Sequence, residues 1–544
     1  MTTDRPAASY NPFPYIIGGL LMAADGALYV ASRLVGPRPS PVTPAGLLLA
    51  AQGGYQPTKP VLVLTAFFLL LLIAAGVAVV MWLSSRRAVG TGTLGNRAAR
   101  WAKPGELRAL RAPEAPADRP GRLPLGYAGN QFLAAKKNHH VLLIGPTESG
   151  KTWFYAIGAT LDHAGPAVVT SVKRAMIDAT IDARDQLGPV YIYDPDRSTG
   201  RPCSTWSPLP QCATWAGARL MAGWLVESNR PVTGTITTPA GEFFGVLAHY
   251  LLAPLLHAAA LDGRPITDVL RWLKTQDHKE AKNILSYSGA DAALIDAGSF
   301  DGWAKETTTG LVATALVLMS PYDDPSVTAS AKTCEINAAT LLDGNGTLYL
   351  CAPLHAQKRF RPLFEALLMQ IVMEAQNRAQ AGRTVDPALL LMLDEAGTAA
   401  APRTLPDLLS TGRDQGTLFS TSWQSLGQIR ERYGQDGAET VLTNSVQVAL
   451  PGISDLSTLD HFSRLCGDTE VDRTSTTHQA QGGRSTSTGP QTRRLAPGDQ
   501  LRLLKVGQGL LLARGIPPVL LRLRRWQPTS TLTRTSRPWQ RARY

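Results

Sequence analysis

Residues 141–152, VLLIGPTESGKT, have the composition and spacing of a loop that binds phosphate. An apolar strand runs into Gly145, and after four residues Gly150, Lys151 and Thr152 close the pattern before an apolar helical stretch begins. The two glycines let backbone N–H groups converge on a phosphate at a helix N-terminus, where the helix dipole favours anions. We predict that nucleotide phosphates bind the whole loop: Gly145, Pro146, Thr147, Glu148, Ser149, Gly150, Lys151 and Thr152.

A second motif has the residue types that complete a nucleotide-hydrolysing site. Lys151 supplies a positive charge to the β- and γ-phosphates of ATP, and the Thr152 hydroxyl is an expected Mg²⁺ ligand. Residues 388–395, ALLLMLDE, form an apolar run that ends in two acids. We predict that Asp394 holds Mg²⁺ through water and that Glu395 polarises the attacking water. The alternative is a buried strand that ends in two solvated acids.

Two further polar residues follow this acid pair. Gln424 lies just past the next strand-like run, where its amide would sense the γ-phosphate from the strand beside Asp394. Arg413 precedes that strand in the segment LLSTGRDQG, from which a loop at a subunit edge would deliver it into a neighbouring subunit's site. The alternative for Arg413 is an exposed, solvated side chain in a glycine-rich turn. The predicted catalytic residues are therefore Lys151, Glu395, Arg413 and Gln424.

The elements that must position these residues read as an α/β fold with a mostly parallel sheet. Short apolar, strand-like runs flank the motifs, but the phosphate loop and the acid pair are too far apart for a minimal core. The intervening residues have helical patterns, which indicates an inserted domain. The predicted boundaries are a nucleotide-binding domain at 126–206 and 329–527, an inserted all-helical domain at 207–328, and a basic tail at 528–544.

The N-terminal part of the sequence predicts a membrane anchor. Residues 61–83 are uncharged and almost wholly apolar, long enough to cross a hydrocarbon core, and 14–34 form a weaker span. Arginines and lysines crowd the segment after 83, whereas the connection between the spans has few, so the N-terminus and the large C-terminal part are predicted to be cytoplasmic. The predicted segments are a two-helix anchor at 1–88 and a basic Pro/Ala-rich linker at 89–125.

Overall composition agrees with a folded chain that has a polyanionic partner. The 544 residues are 44% hydrophobic and 18% charged, which excludes a disordered or wholly membrane-embedded chain. Lys and Arg number 54 against 42 Asp and Glu, a net charge of +12, and no acid follows Asp499. The late arginines, with Trp526 and Trp539, suit single-stranded nucleic acid, an anionic leaflet, or a solvated tail. Residues 470–498, rich in Ser, Thr, Gly and Gln, read as a surface loop.

These motifs together resemble the type IV secretion coupling proteins, the TraG/TraD-type ATPases of conjugative DNA transfer. The resemblance rests on the paired N-terminal spans, GPTESGKT, LLLMLDEAG, the GRDQG and WQS segments, and IPPVLLRLRRW. It implies a RecA-like core in a membrane-anchored homo-hexamer of the inner membrane, with ATP and Mg²⁺ as cofactors. It also implies DNA as partner, a relaxase-bound single strand passed to a secretion channel. Glu148 departs from the family, which often has Gly or Arg there, and an acid beside triphosphate is unfavourable unless it points outward.

Two alternative functions fit the same motifs. One is an FtsK-type motor on double-stranded DNA, although that family usually carries a folded module after its motor and only a short tail follows Trp526 here. The other is a receptor for secreted protein effectors, in which the helical insertion docks the substrate and DNA never passes. The net positive charge favours DNA over protein.

Overall fold

The computed structural model describes residues 26–27, 29–35, 58–87, 98–171, 174–228, 239–353, 355–397, 401–478 and 484–526. The chain divides into two compact units, Met1–Arg97 and Ala98–Tyr544. In the first unit, helix α1 (Lys59–Arg87) contains the predicted span 61–83. The predicted span 14–34 lies largely outside the described residues.

The second unit is built on one eleven-stranded sheet in the order β2-β1-β13-β12-β9-β3-β8-β7-β4-β6-β5. The strands from β9 to β5 are parallel, and the β2-β1-β13-β12 side is antiparallel. Its strands are β1 (Pro124–Ala128), β2 (Gln131–Ala134), β3 (His140–Ile144), β4 (Ala167–Ser171), β5 (Val190–Tyr193), β6 (Thr347–Cys351), β7 (Leu389–Leu393), β8 (Thr417–Trp423), β9 (Ser445–Ala449), β12 (Gln508–Ala513) and β13 (Ile516–Arg522).

Helices cover both faces of this sheet, which is why its central strands are continuous apolar runs buried on both sides. One buried cluster joins the sheet to α2 and α3, and a second joins the other face to α12, α14 and the helices of the insertion. The helices are α2 (Ile157–Asp162), α3 (Arg174–Asp185), α4 (Trp215–Ser228), α5 (Pro239–Leu261), α6 (Ile266–Thr275), α7 (Lys279–Tyr287), α8 (Asp291–Gly298), α9 (Lys305–Met319), α10 (Pro325–Ser330), α11 (Ala338–Asp343), α12 (Gln357–Gln380), α13 (Leu405–Thr411), α14 (Leu426–Thr443), α15 (Leu456–Cys466) and α16 (Gly498–Arg502).

Helices α4–α10 occupy most of the segment predicted to be an all-helical insertion between β5 and β6. Helix α5 packs against α4, α7, α8 and α9 and forms the centre of this group. Within the described residues, Phe243–Leu261 of α5 is the one stretch long and apolar enough to cross a membrane. More than half of that stretch is buried against neighbouring helices, which is the pattern of a core helix in a globular domain.

Two segments of the second unit have more structure than their composition indicates. The predicted linker 89–125 contains residues that belong to the core: Leu107 and Leu110, three positions apart, are buried against the sheet. The predicted surface loop 470–498 is mostly a two-stranded antiparallel ribbon, β10 (Asp468–His478) paired with β11 (Arg484–Arg494). Composition does not indicate these structures, because Leu107 and Leu110 pack against strands from distant parts of the chain and the local β10–β11 hairpin has almost no apolar side chains.

Candidate active site

The predicted phosphate loop lies at the carboxyl edge of the sheet, directly after β3. This strand is central, with β8 on one side and β9 on the other, and the Gly145 N–H donates to the Trp423 carbonyl of β8 at 3.0 Å. A Cβ on Gly145 would come within 2.7 Å of Leu450 Cβ, and one on Gly150, where φ is +90°, within 2.5 Å of Phe154. Both glycines are therefore required by close packing, as the motif demands.

Lys151 is buried and its ammonium points back into the loop. Its Nζ donates to the carbonyl oxygens of Gly145, at 2.6 Å, and Pro146, at 2.8 Å. A buried ammonium that donates to carbonyl oxygens at a helix N-terminus is placed to exchange those carbonyls for phosphate oxygens.

Thr152 and Asp394 are in contact at the carboxyl edge of the sheet. Asp394 directly follows β7, which is separated from β3 by β8. The Thr152 hydroxyl donates to Asp394 Oδ2 at 2.9 Å, and the Asp394 residue is only 1% exposed. A hydroxyl and a carboxylate oxygen in contact at the edge of a phosphate loop are the hard oxygen ligands that Mg²⁺ prefers, so these residues fit that ion.

Two acids of the site have backbone conformations that are uncommon for side-chain-bearing residues. Glu395 is half-buried beside Asp394, and its φ of +57° is a left-handed backbone conformation. This conformation costs free energy in a residue with a side chain, and such residues cluster at functional positions. Glu148 in the phosphate loop has φ +66° and is exposed. The carboxylate of Glu148 therefore faces solvent, which removes the electrostatic conflict expected of an acid in this loop.

Gln424 lies at the same carboxyl edge, immediately after β8. This strand is inserted between β3 and β7, so Gln424 lies between the strand ends that carry the phosphate loop and Asp394. Its backbone N–H donates to Gln428 Oε1 at 2.9 Å, which fixes the start of α14. The structure thus brings Gln424 to the site, although among the described residues its side-chain amide makes no hydrogen bond with the phosphate loop.

Arg413 lies at the opposite, amino edge of the sheet. It precedes β8, a strand of seven residues that is about 20 Å long, and its Nη1 contacts Nε2 of His139, which precedes β3, at 3.2 Å. Burial and the neighbouring guanidinium lower the pKa of His139 to about 4, so at neutral pH its ring is uncharged and Nε2 can accept from Arg413. Arg413 does not approach the phosphate loop of its own chain.

Sequence reasoning missed the role of two tryptophans. On sequence alone, Trp526 is interpreted only together with the late arginines, but its ring stacks on Trp153, the residue after Thr152, with a centroid distance of 5.5 Å and an interplanar angle of 27°. The residues around Trp526 in the sequence do not indicate this contact. The two rings come together because β13 and β3 belong to one sheet and end at the same edge. The remaining tail, 528–544 with Trp539, lies outside the described residues.

Residues 113–536 match the family model described as type IV secretory system conjugative DNA transfer. A curated relative, the conjugal transfer protein TraG of Agrobacterium fabrum, is 23% identical over 395 residues, which cover 70% of this chain and 59% of TraG. The chain therefore spans less than two thirds of the length of this relative.

Solved structures of the bacterial conjugative coupling protein TrwB have the same fold. TrwB in complex with the non-hydrolysable ATP analogue ADPNP is 17% identical with a TM-score of 0.59, and the match covers 83% of this chain and 98% of TrwB. TrwB in complex with ADP and Mg²⁺ gives the same identity, TM-score and coverage. The likeness confirms the α/β fold with a mostly parallel sheet that the sequence predicts.

Proposed function

Because this chain belongs to the type IV secretory system conjugative DNA transfer family, we propose that it is an ATPase that drives transfer of DNA through a type IV secretion channel. The observation that supports this most directly is the contact of Thr152 with Asp394 beside Lys151 at the end of β3. The transported substrate is a single strand bound to a relaxase, and the active assembly is a homo-hexamer anchored in the inner membrane. TrwB, which shares the fold, is described with an ATP analogue and with ADP and Mg²⁺.

In this mechanism each residue has a defined task. The loop from Gly145 to Thr152 binds the phosphates through its backbone N–H groups, and Lys151 exchanges the carbonyls of Gly145 and Pro146 for the β- and γ-phosphate oxygens. Thr152 and Asp394 would hold Mg²⁺, Asp394 through water, and the ion would neutralise phosphate charge. Glu395 orients and polarises the attacking water, and Gln424 contacts the γ-phosphate from the end of β8.

The position of Arg413 supports a site that is completed between subunits. An arginine at the amino edge is about one strand length from its own phosphate loop, so a guanidinium there can act only on another subunit's nucleotide. A ring in which the amino edge of one subunit faces the carboxyl edge of the next satisfies this requirement. The same contact makes hydrolysis depend on assembly.

The DNA-transfer proposal predicts which polymer stimulates hydrolysis. Single-stranded DNA should raise the ATPase rate of the purified full-length chain more than duplex DNA of equal length, and a protein substrate alone should not raise it. The salt dependence should be steep, because arginine–phosphate contacts release counterions. Stronger stimulation by duplex would instead support an FtsK-type motor, and stimulation only by a protein would support an effector receptor.

The membrane proposal predicts the topology of the N-terminal segment. Side chains of α1 such as Val63 and Leu70 are well exposed, as lipid-facing residues of a span would be. A reporter fused after Arg87 should read cytoplasmic, and one fused near Gly53 should read external, because positive charge concentrates after α1. A cytoplasmic reading at Gly53 would mean that the segment 14–34 does not cross the membrane.

A further inference from the structure

The segment that follows β13 returns to the start of the phosphate-loop helix. The Trp526 backbone N–H donates to the Trp153 carbonyl oxygen at 3.0 Å, and the two indoles are stacked. The contact falls on a single π-helical turn, Thr152–Ala156, that leads into α2. Such turns are rare and occur frequently at functional sites.

Buried charges fix this segment in place. Asp162, at the end of α2, accepts hydrogen bonds from both Arg119 and Arg524, and all three side chains are buried. Both guanidiniums also lie near the Phe132 ring, with distances of 5.1 and 5.5 Å from their central carbon atoms to the ring centre. A carboxylate shared by two buried arginines leaves little freedom to the backbone two residues before Trp526.

The sheet order determines which part of a bound nucleotide would reach the two tryptophans. The γ-phosphate must lie toward Asp394 and Glu395, on the β8–β7 side of β3. The base is at the other end of the molecule and therefore extends to the β9 side. Strands β12 and β13 lie on that side, and β13 runs parallel to β3, so it ends at the same carboxyl edge as the phosphate loop.

We propose that the stacked pair of Trp153 and Trp526 forms the nucleobase subsite and takes a purine. This inference rests on the proposed function, since it assumes a nucleoside triphosphate in the loop. Trp153 is 39% exposed and directly follows Thr152, where the α-phosphate end of the ligand leaves the loop. A purine stacked on this pair extends an aromatic column, and stacking of this kind accepts adenine and guanine alike.

The indole N–H of Trp526 adds a polar contact to this subsite. Its Nε1 is enclosed but has no acceptor among the residues that the structure describes. A buried donor without an acceptor is costly, and because the N–H bond lies in the plane of the indole, a ribose oxygen beside the ring, rather than the stacked base itself, is the acceptor that fits it. The subsite therefore offers both a flat apolar surface and one hydrogen-bond donor.

The test compares a ligand that has a base with one that lacks it. Affinities of the full-length protein for ATP and for inorganic tripolyphosphate, each with Mg²⁺, are measured for the wild type and for Trp526→Ala. We expect the Kd for ATP to rise about two- to tenfold while the Kd for tripolyphosphate stays the same, because only ATP loses a stacked contact. Trp526→Phe should recover most of the affinity for ATP.

The matched control is Trp101→Ala. Trp101 is 41% exposed, close to the 39% of Trp153. The backbone N–H of its neighbour Ala102 donates to the Pro518 carbonyl oxygen at the opposite end of β13, so this variant should bind both ligands normally.

An equal loss of ATP and tripolyphosphate affinity in Trp526→Ala would overturn the proposal, since Trp526 would then only shape the loop. Unchanged ATP affinity would overturn it too. A wild type that binds neither ligand would contradict the phosphate site and the proposed function with it.

A second measurement uses the unaltered protein. Photolabelling with 8-azido-ATP followed by trypsin should mark the peptides 526–534 and 152–173, which contain the two tryptophans. Excess tripolyphosphate should abolish the labelling, because it competes for the same loop. If the labelling that tripolyphosphate abolishes falls only on other peptides, the base binds elsewhere and the proposed subsite is wrong.

Discussion

Lys151→Ala should reduce ATP hydrolysis by at least about 10²-fold, because it removes the one cation that the loop places against the β- and γ-phosphates. The ammonium already lies inside the loop on the carbonyls of Gly145 and Pro146, from which it would move to the phosphate oxygens, so its loss leaves the phosphates without this donor. Steady-state phosphate release with the full-length chain measures this effect. The variant should bind ATP weakly as well as turn it over slowly.

Glu395→Gln should affect the same assay in a different way. The contacts of Lys151, Thr152 and Asp394 with the nucleotide would persist, but a neutral amide cannot act as a base toward water, so hydrolysis should fall about 10²–10⁴-fold while ATP stays bound. Lys137→Ala is the matched control, since Lys137 is exposed near the opposite end of β3 and should hydrolyse ATP normally. Normal turnover in Lys151→Ala or in Glu395→Gln would mean that the catalytic site is elsewhere.

Arg413→Ala should leave ATP binding and assembly intact and lower hydrolysis by about 10³–10⁵-fold, the range typical of an arginine that stabilises a transferring phosphoryl group. The side chain lies at the amino edge against His139, which stays neutral above about pH 5 because its pKa is lowered to about 4. The neutral His139 ring can therefore accept a hydrogen bond from Arg413 without repelling the guanidinium. Arg383→Ala, an exposed arginine before β7 at the same edge, is the control and should be active.

Mixed assemblies distinguish action between subunits from action within one. When Arg413→Ala is mixed with Lys151→Ala, some interfaces pair an intact loop from the first variant with an intact Arg413 from the second. Those interfaces should recover activity that neither variant shows alone. If mixed rings form and no activity returns, Arg413 acts within its own subunit or has only a structural role, and the proposed contact between subunits is wrong.

The local motifs of the site were predictable because their chemistry is contained in short stretches of chain. The phosphate loop needs Gly145 and Gly150 for close backbone packing and Lys151 and Thr152 for charge and metal, and this spacing is readable in any context. The apolar run into Asp394 likewise indicates a buried parallel strand that ends in an acid. These two stretches indicate the α/β class and carry part of the family resemblance, and both the fold class and the family are confirmed.

The contacts between distant segments were decided by the tertiary structure. The 2.9 Å contact of Thr152 with Asp394 joins residues 242 positions apart, and it exists because β8 separates β3 from β7 and all three strands end at one edge. Arg413 lies at the far edge because it precedes β8, which is parallel to β3, and the position of β13 beyond β9 and β12 brings Trp526 onto Trp153. Local periodicity reports which residues form a strand but carries no information about which strands become neighbours, since that is set by burying both faces of the sheet at once.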